Sequence, residues 1–125
     1  MILVIGGLFQ HKLDFVYDKF GMSEADVFFA ENNYKIESER IIYKFNKLIE
    51  KWIAENRNVL EETEKFIGIN KNSIIILDQI GCGIVPADKY ERMLREETGR
   101  AGSVLAEYAE QVYSVSFGLG IRLKG

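Results

Sequence analysis

The chain has 125 residues, 47% of them hydrophobic and 28% charged, which is enough for one domain with its own core, and residues 1–125 read as a single α/β domain. Its formal net charge of −3 gives no basic footprint for a nucleic-acid partner, and its single cysteine, Cys82, excludes an internal disulfide and suits a reducing compartment. The opening MILVIGGLF is apolar, but no basic residue precedes it and Gln10, His11 and Lys12 follow too soon for a signal peptide or a membrane span, so a cytoplasmic protein is expected.

In chain order, residues 1–5 are an unbroken apolar run, the pattern of a strand covered on both faces, and they end on Gly6-Gly7. Leu13, Val16, Tyr17 and Phe20 follow at i, i+3, i+4 and i+7, which predicts a helix closed by Gly21. Strand, glycine turn and a helix with a lysine at its start is the layout of a phosphate-binding loop. In the pattern G-x-x-x-x-G-K-[ST], backbone N–H groups cradle the phosphates, the lysine neutralises their charge and the hydroxyl holds Mg²⁺. Gly6 and Lys12 match, whereas His11 stands for the second glycine and Leu13 for the hydroxyl. Gly6, Gly7, His11 and Lys12 are therefore candidate phosphate ligands; the plain alternative is an ordinary strand-to-helix turn with a solvated lysine.

Residues 27–30 predict a further strand after a turn at 23–26. Ile41, Phe45, Leu48, Ile49 and Trp52, at i, i+4, i+7, i+8 and i+11, predict one long amphipathic helix. A helix over 59–67, stopped by Gly68, leads through a turn at 70–73 into Ile74-Ile75-Ile76-Leu77, an interior strand closing on Asp78. An acid at the carboxyl end of such a strand lies where open α/β sheets bind ligands. After a glycine loop comes a helix with Asp88 and Glu91 spaced as a capping box and Gly99 as its end. Residues 112–117 and 121–124 predict two final strands, the last antiparallel at an edge blunted by Arg122 and Lys124.

Four stretches of the second half combine into a signature: Gln79-Ile80-Gly81-Cys82-Gly83-Ile84-Val85-Pro86, Arg92-Met93-Leu94-Arg95-Glu96, Gly99-Arg100, and Val112-Tyr113 continuing to Lys124. Their order resembles the adenosylcobinamide kinase / adenosylcobinamide-phosphate guanylyltransferase family of cobalamin biosynthesis, well over residues 74–124 and weakly before them. The resemblance implies a P-loop nucleoside-triphosphate-hydrolase-like fold, a mostly parallel sheet flanked by helices. About five strands are expected, because a strand-helix unit that family members carry has no room here. It also implies Mg²⁺ and GTP or ATP as cofactors, a nucleotide and a corrinoid as ligands, and a homo-oligomer, trimer or dimer. The family reaction it implies is phosphorylation of adenosylcobinamide followed by GMP transfer.

On that basis Lys12, Asp78 and Gln79 are candidate catalytic residues and Asp78 the candidate metal ligand, while Gly6, Gly7, His11, Lys12, Gly81, Gly83, Arg92 and Arg95 are candidate nucleotide ligands. Alternatives stay open. Asp78 accepts backbone N–H bonds from the 81–83 loop instead, or Arg92 and Arg95, on one helix face, pair with Glu91, Glu96 and Glu97. The chain also departs from the family. Glu39-Arg40-Ile41-Ile42-Tyr43-Lys44 stands for E-R-I-x-x-H, whose histidine accepts GMP, and a lysine on a charged face has no cause for the lowered pKa a nucleophile needs. Gln79 replaces a glutamate, and Gly102-Ser103 replaces Asn-Gln. The expectation is a homologue that keeps the scaffold and nucleotide or corrinoid binding with transfer impaired or lost; the alternative is an active transferase. Trp52, Phe66, Ile69 and Ile84-Val85-Pro86 are expected to form the subunit contact.

Overall fold

In a computed structural model the structure describes residues 1–7, 10–30, 41–79 and 88–125. The sheet is built from β1 (Ile2–Gly6), β2 (Val27–Phe29), β3 (Ile41–Tyr43), β4 (Ile74–Asp78), β5 (Gln111–Ser116) and β6 (Leu119–Lys124). Its helices are α1 (Lys12–Phe20), α2 (Phe45–Ala54), α3 (Val59–Ile69) and α4 (Lys89–Tyr108). The six-stranded sheet runs β2-β3-β4-β1-β5-β6, with every neighbour parallel except the β5–β6 hairpin.

The apolar runs at residues 2–5 and 74–77 make the two central strands because a strand flanked on both sides and covered on both faces has no polar side to present. All five residues of β4 are buried, and in register they face β1 from Ile2↔Ile74 to Gly6↔Asp78. One face carries Leu3, Ile75, Leu77 and Val112 against Phe45, Leu48 and Trp52 of α2, Phe66 of α3 and Leu94, Ala101 and Leu105 of α4. The opposite face carries Val4, Ile74, Ile76, Tyr113 and Val115 against Val16 of α1. Phe45 anchors the larger core through edge-to-face contacts with Trp52 at 5.7 Å and Phe66 at 5.1 Å.

The α/β class and the mostly parallel sheet are as expected, but the strand count is six rather than about five. The added strand is β3, which the helical spacing had absorbed. Ile41 and Ile42 are fully buried and pair with Ile74 and Ile75, as β-branched residues on a pleated surface favour, and Lys44 at φ 58° interrupts the chain before α2 begins. Gly99 does not end a helix: α4 runs on to Tyr108, because its buried Leu94, Thr98, Ala101 and Leu105 keep one face on the sheet and packing outweighs the weak propensity of one glycine. Gly68 likewise falls inside α3. The expected contact patch is redistributed. Trp52 and Phe66 lie in the core, Ile69 is exposed, residues 84–86 lie outside the described residues, and exposed apolar side chains gather around β6 at Phe117, Leu119, Ile121 and Leu123. Among the described residues no helix is long and apolar enough to cross a membrane.

Candidate functional site

The chain leaves β1 toward α1 on one face and β4 leads to α4 on the other, which opens a crevice at the carboxyl ends of the two central strands. Gly6 and Asp78 lie side by side there, and Gln79 N donates to Gly6 O at 2.8 Å, prolonging the ladder by one bond. Gly6 admits no side chain: a Cβ would stand 2.7 Å from Val115 O and 3.2 Å from Lys12 Cδ. The absence of that carbon lets Lys12 lie across the strand end.

Lys12 is the first residue of α1, and its side chain turns back toward the sheet. Nζ lies 2.8 Å from Asp78 Oδ1 and donates to Gly7 O, with both charged side chains 4% exposed. A buried ion pair of this kind holds together because each charge would be strongly disfavoured alone. Four candidate residues, Gly6, Gly7, Lys12 and Asp78, are thus brought into direct contact. His11 sits beside them at φ 59° and ψ 41°, so the position that the phosphate-loop pattern gives to glycine keeps the left-handed conformation although it carries a side chain. That side chain points to solvent, with Nδ1 3.3 Å from Asp14 Oδ2. Gln10 fixes the approach to the helix: its Oε1 accepts from Phe117 N at 2.8 Å and its backbone O from Gly118 N at 3.0 Å.

Tyr43 belongs to the same end of the sheet and was not foreseen. Burial, then the negative charge of Asp78, then Tyr17 push its phenol above the ordinary value, so it stands neutral near the Lys12–Asp78 pair. The signal was present, since Tyr43 closes the apolar pair Ile41-Ile42 as Asp78 closes 74–77, but assigning that stretch to a helix concealed it. Lys44, at the position of the family's acceptor histidine, is the left-handed residue preceding α2, its Nζ 5.6 Å from the Tyr43 ring centroid.

The remaining candidates separate. Gly81 and Gly83 lie outside the described residues. Gln79 and Arg95 line an open cavity of about 550 Å³ between α4 and the sheet, together with Asp78, whereas Arg92 is exposed on α4 and is not part of that lining. A divalent cation finds little to hold it. Asp78 is tied to Lys12, Leu13 packs among the apolar side chains on the α1 face, and among the described residues no three His, Cys, Asp or Glu side chains cluster.

Comparison with known proteins fits this scaffold. The family model described as Cobinamide kinase / cobinamide phosphate guanyltransferase matches residues 19–123, beginning after the glycine turn and Lys12. The Bifunctional adenosylcobalamin biosynthesis protein CobU of Salmonella typhimurium and that of Escherichia coli are each 33% identical over 51 residues, 41% of this chain. The matched stretch is 28% of either protein, so the chain spans well under two thirds of the curated relatives it matches. With the family model running along most of the described elements, from the end of α1 to the end of β6, the chain belongs to the cobinamide kinase / cobinamide phosphate guanyltransferase family.

Proposed function

We propose that this chain retains nucleotide or corrinoid binding at the crevice while phosphoryl and guanylyl transfer are impaired or lost. The observation that carries the reading is the buried Lys12–Asp78 contact at the carboxyl ends of the central strands. It keeps a cation where a phosphate would sit, beside the backbone of Gly6 and Gly7 and the start of α1, whose N-cap residue His11 makes no side-chain cap. Transfer needs more. Leu13 has no oxygen for Mg²⁺, Lys44 replaces the acceptor histidine and Gln79 the glutamate, so most of the charge stabilisation of a phosphoryl-transfer site is gone.

Calorimetric titration with GTP, ATP and adenosylcobinamide, with and without Mg²⁺, tests the binding. Lys12→Ala should weaken nucleotide binding by about 1.5–3 kcal/mol, the range for a hydrogen bond to a charged group. Equal affinity for both proteins would remove the crevice as the site. The active alternative draws support from the same Lys12–Asp78 juxtaposition, and labelled GTP with adenosylcobinamide separates the two. Corrinoid phosphate or guanylylated protein formed at about 1 s⁻¹ or faster would defeat the binding-only reading. We also propose a closed homo-oligomer, trimer or dimer, in a cytoplasmic setting. The exposed Phe117, Leu119, Ile121 and Leu123 support a subunit contact along β6, and light scattering at micromolar concentration checks it.

A further inference from the structure

β6 is the outer strand of the sheet, and among the described residues no strand pairs with its far side. Opposed residues of a hairpin share a face. Leu119 and Ile121, opposite Ser116 and Ser114, therefore lie on the side of Val112 and α4, while Gly120 and Arg122, opposite Val115 and Tyr113, lie on the side of α1. The α1 side is covered: Phe15 lies so close over Gly120 that a Cβ there would overlap its ring, and Arg122 stacks on the Tyr113 ring at 5.6 Å. On the α4 side Leu119, Ile121 and Leu123 stand 74%, 66% and 59% exposed, a row of three aliphatic side chains. Lysine and arginine on an edge strand ordinarily turn a second strand away. Here both are folded back on their own chain. Lys124 Nζ donates to Ala106 O at 2.9 Å and Glu107 O at 2.8 Å at the end of α4, and Arg122 donates to Tyr113 OH and to Gly125 O, each at 3.2 Å. The blunting expected of these two residues is absent, and the edge stands open.

We infer that β6 pairs antiparallel with β6 of a second copy of this chain across a twofold axis at Ile121, which joins the two sheets into one. The inference specifies the β6 contact proposed above and rests on it. The two-residue turn at 117–118 makes Ser116 and Leu119 a hydrogen-bonded pair, so alternation points the peptide groups of Leu119 and Ile121 at β5 and those of Gly120 and Arg122 outward. An axis at Ile121 sets Gly120 against Arg122 of the second copy and the reverse, two pairs that exchange about four hydrogen bonds. It also sets Ile121 against its own copy and Leu119 beside Leu123 of the second copy, so the two aliphatic rows close into one cluster. Neighbouring centres fail. An axis at Arg122 places like charges directly opposite, and one at Gly120 drives Arg122 against the turn, where Gly118 N is already bound to Gln10 O. The register shift of the hairpin falls beyond Arg122, so residues 119–122 present a regular edge. A second copy is the occupant because this edge matches itself in hydrogen bonding, apolar pattern and charge.

Light scattering at micromolar concentration should give a dimer mass that falls on dilution, since a six-residue edge is small beside the roughly 800 Å² that each partner buries in a standard interface. Ile121→Lys, at an exposed position, should keep the circular dichroism spectrum and convert the protein to monomer. On a Cys82→Ser background, Ile121→Cys should cross-link to its own copy under mild oxidation, because opposed residues of a non-hydrogen-bonded pair stand about 4.5 Å apart at Cα, within disulfide reach. Leu119→Cys on the same background should not couple to itself. A mass that stays monomeric on concentration would sink both this pairing and the β6 contact proposed above. A trimer, a dimer indifferent to Ile121→Lys, or one in which Leu119→Cys couples more readily than Ile121→Cys would overturn the pairing alone and leave the oligomer reading in place.

Discussion

Of the helices that begin near the carboxyl edge of the sheet, α1 and α4 begin differently. At α4, Asp88 Oδ1 accepts from Tyr90 N at 2.7 Å and Glu91 N at 3.2 Å, so the helix start satisfies its own donors. At α1 the N-cap residue, His11, makes no side-chain cap and takes a left-handed conformation, and the first helical residue, Lys12, is drawn back to Asp78 instead. The α4 start is closed by local chemistry, whereas the α1 start is held by a tertiary ion pair. A capped helix start is a structural solution, and an uncapped one beside a buried cation is where an anion can be received.

The largest test of this contrast is Asp78→Ala. It leaves Lys12 buried without its partner and should cost about 3–5 kcal/mol, read as a lowered midpoint in urea. Joint replacement by Lys12→Met and Asp78→Leu should recover most of that loss. A cost below 1 kcal/mol for Asp78→Ala would show that water or another group reaches Lys12. At the other helix, Asp88→Ala should cost about 1 kcal/mol, the ordinary value of a cap, and leave ligand titrations unchanged. Should it abolish nucleotide binding, the division between a structural start and a receptive one would fail.

His11→Gly addresses the strained position itself. Relief of a left-handed conformation, offset by the greater freedom of glycine in the unfolded chain, should yield a net gain of about 0.5–1 kcal/mol. A loss would mean that the contact between His11 and Asp14 holds the turn. The smallest effect concerns Tyr43. Its phenol titrates higher in the folded protein than in the unfolded chain, so above pH of about 10 the unfolded state binds fewer protons and stability declines as pH rises. Tyr43→Phe should flatten that alkaline decline and change nothing at neutral pH. An unchanged alkaline limb would place the titrating group elsewhere, with Tyr17, also raised by burial and then by Glu24, Asp14 and Asp26, as the next to replace.

Much of this was legible beforehand because it depends on patterns a few residues long. The continuous runs at 2–5 and 74–77 specify interior strands, and Asp78 at the end of one and Gly6 at the end of the other mark the crevice by position alone. Residues 41–43 show where such reading fails. Ile41 through Trp52 fit a helical period, but Ile41 and Ile42 have a free place on the sheet beside β4, and pairing there is decided by strands more than thirty residues apart in the chain. With that stretch assigned to a helix, Tyr43 could not be seen as part of the site.

What the amino-acid sequence determined by itself is the α/β class, the central strands, the Asp88 cap and the degenerate loop, since each follows from local periodicity, hydrogen-bonding capacity or the identity of a single residue. Only the tertiary structure decided that Lys12 pairs with Asp78 and that Trp52 and Phe66 are core while β6 carries the exposed apolar edge. Those outcomes depend on which surfaces meet once the sheet is assembled, and burial, unlike helix or strand preference, belongs to pairs of distant residues rather than to any one of them.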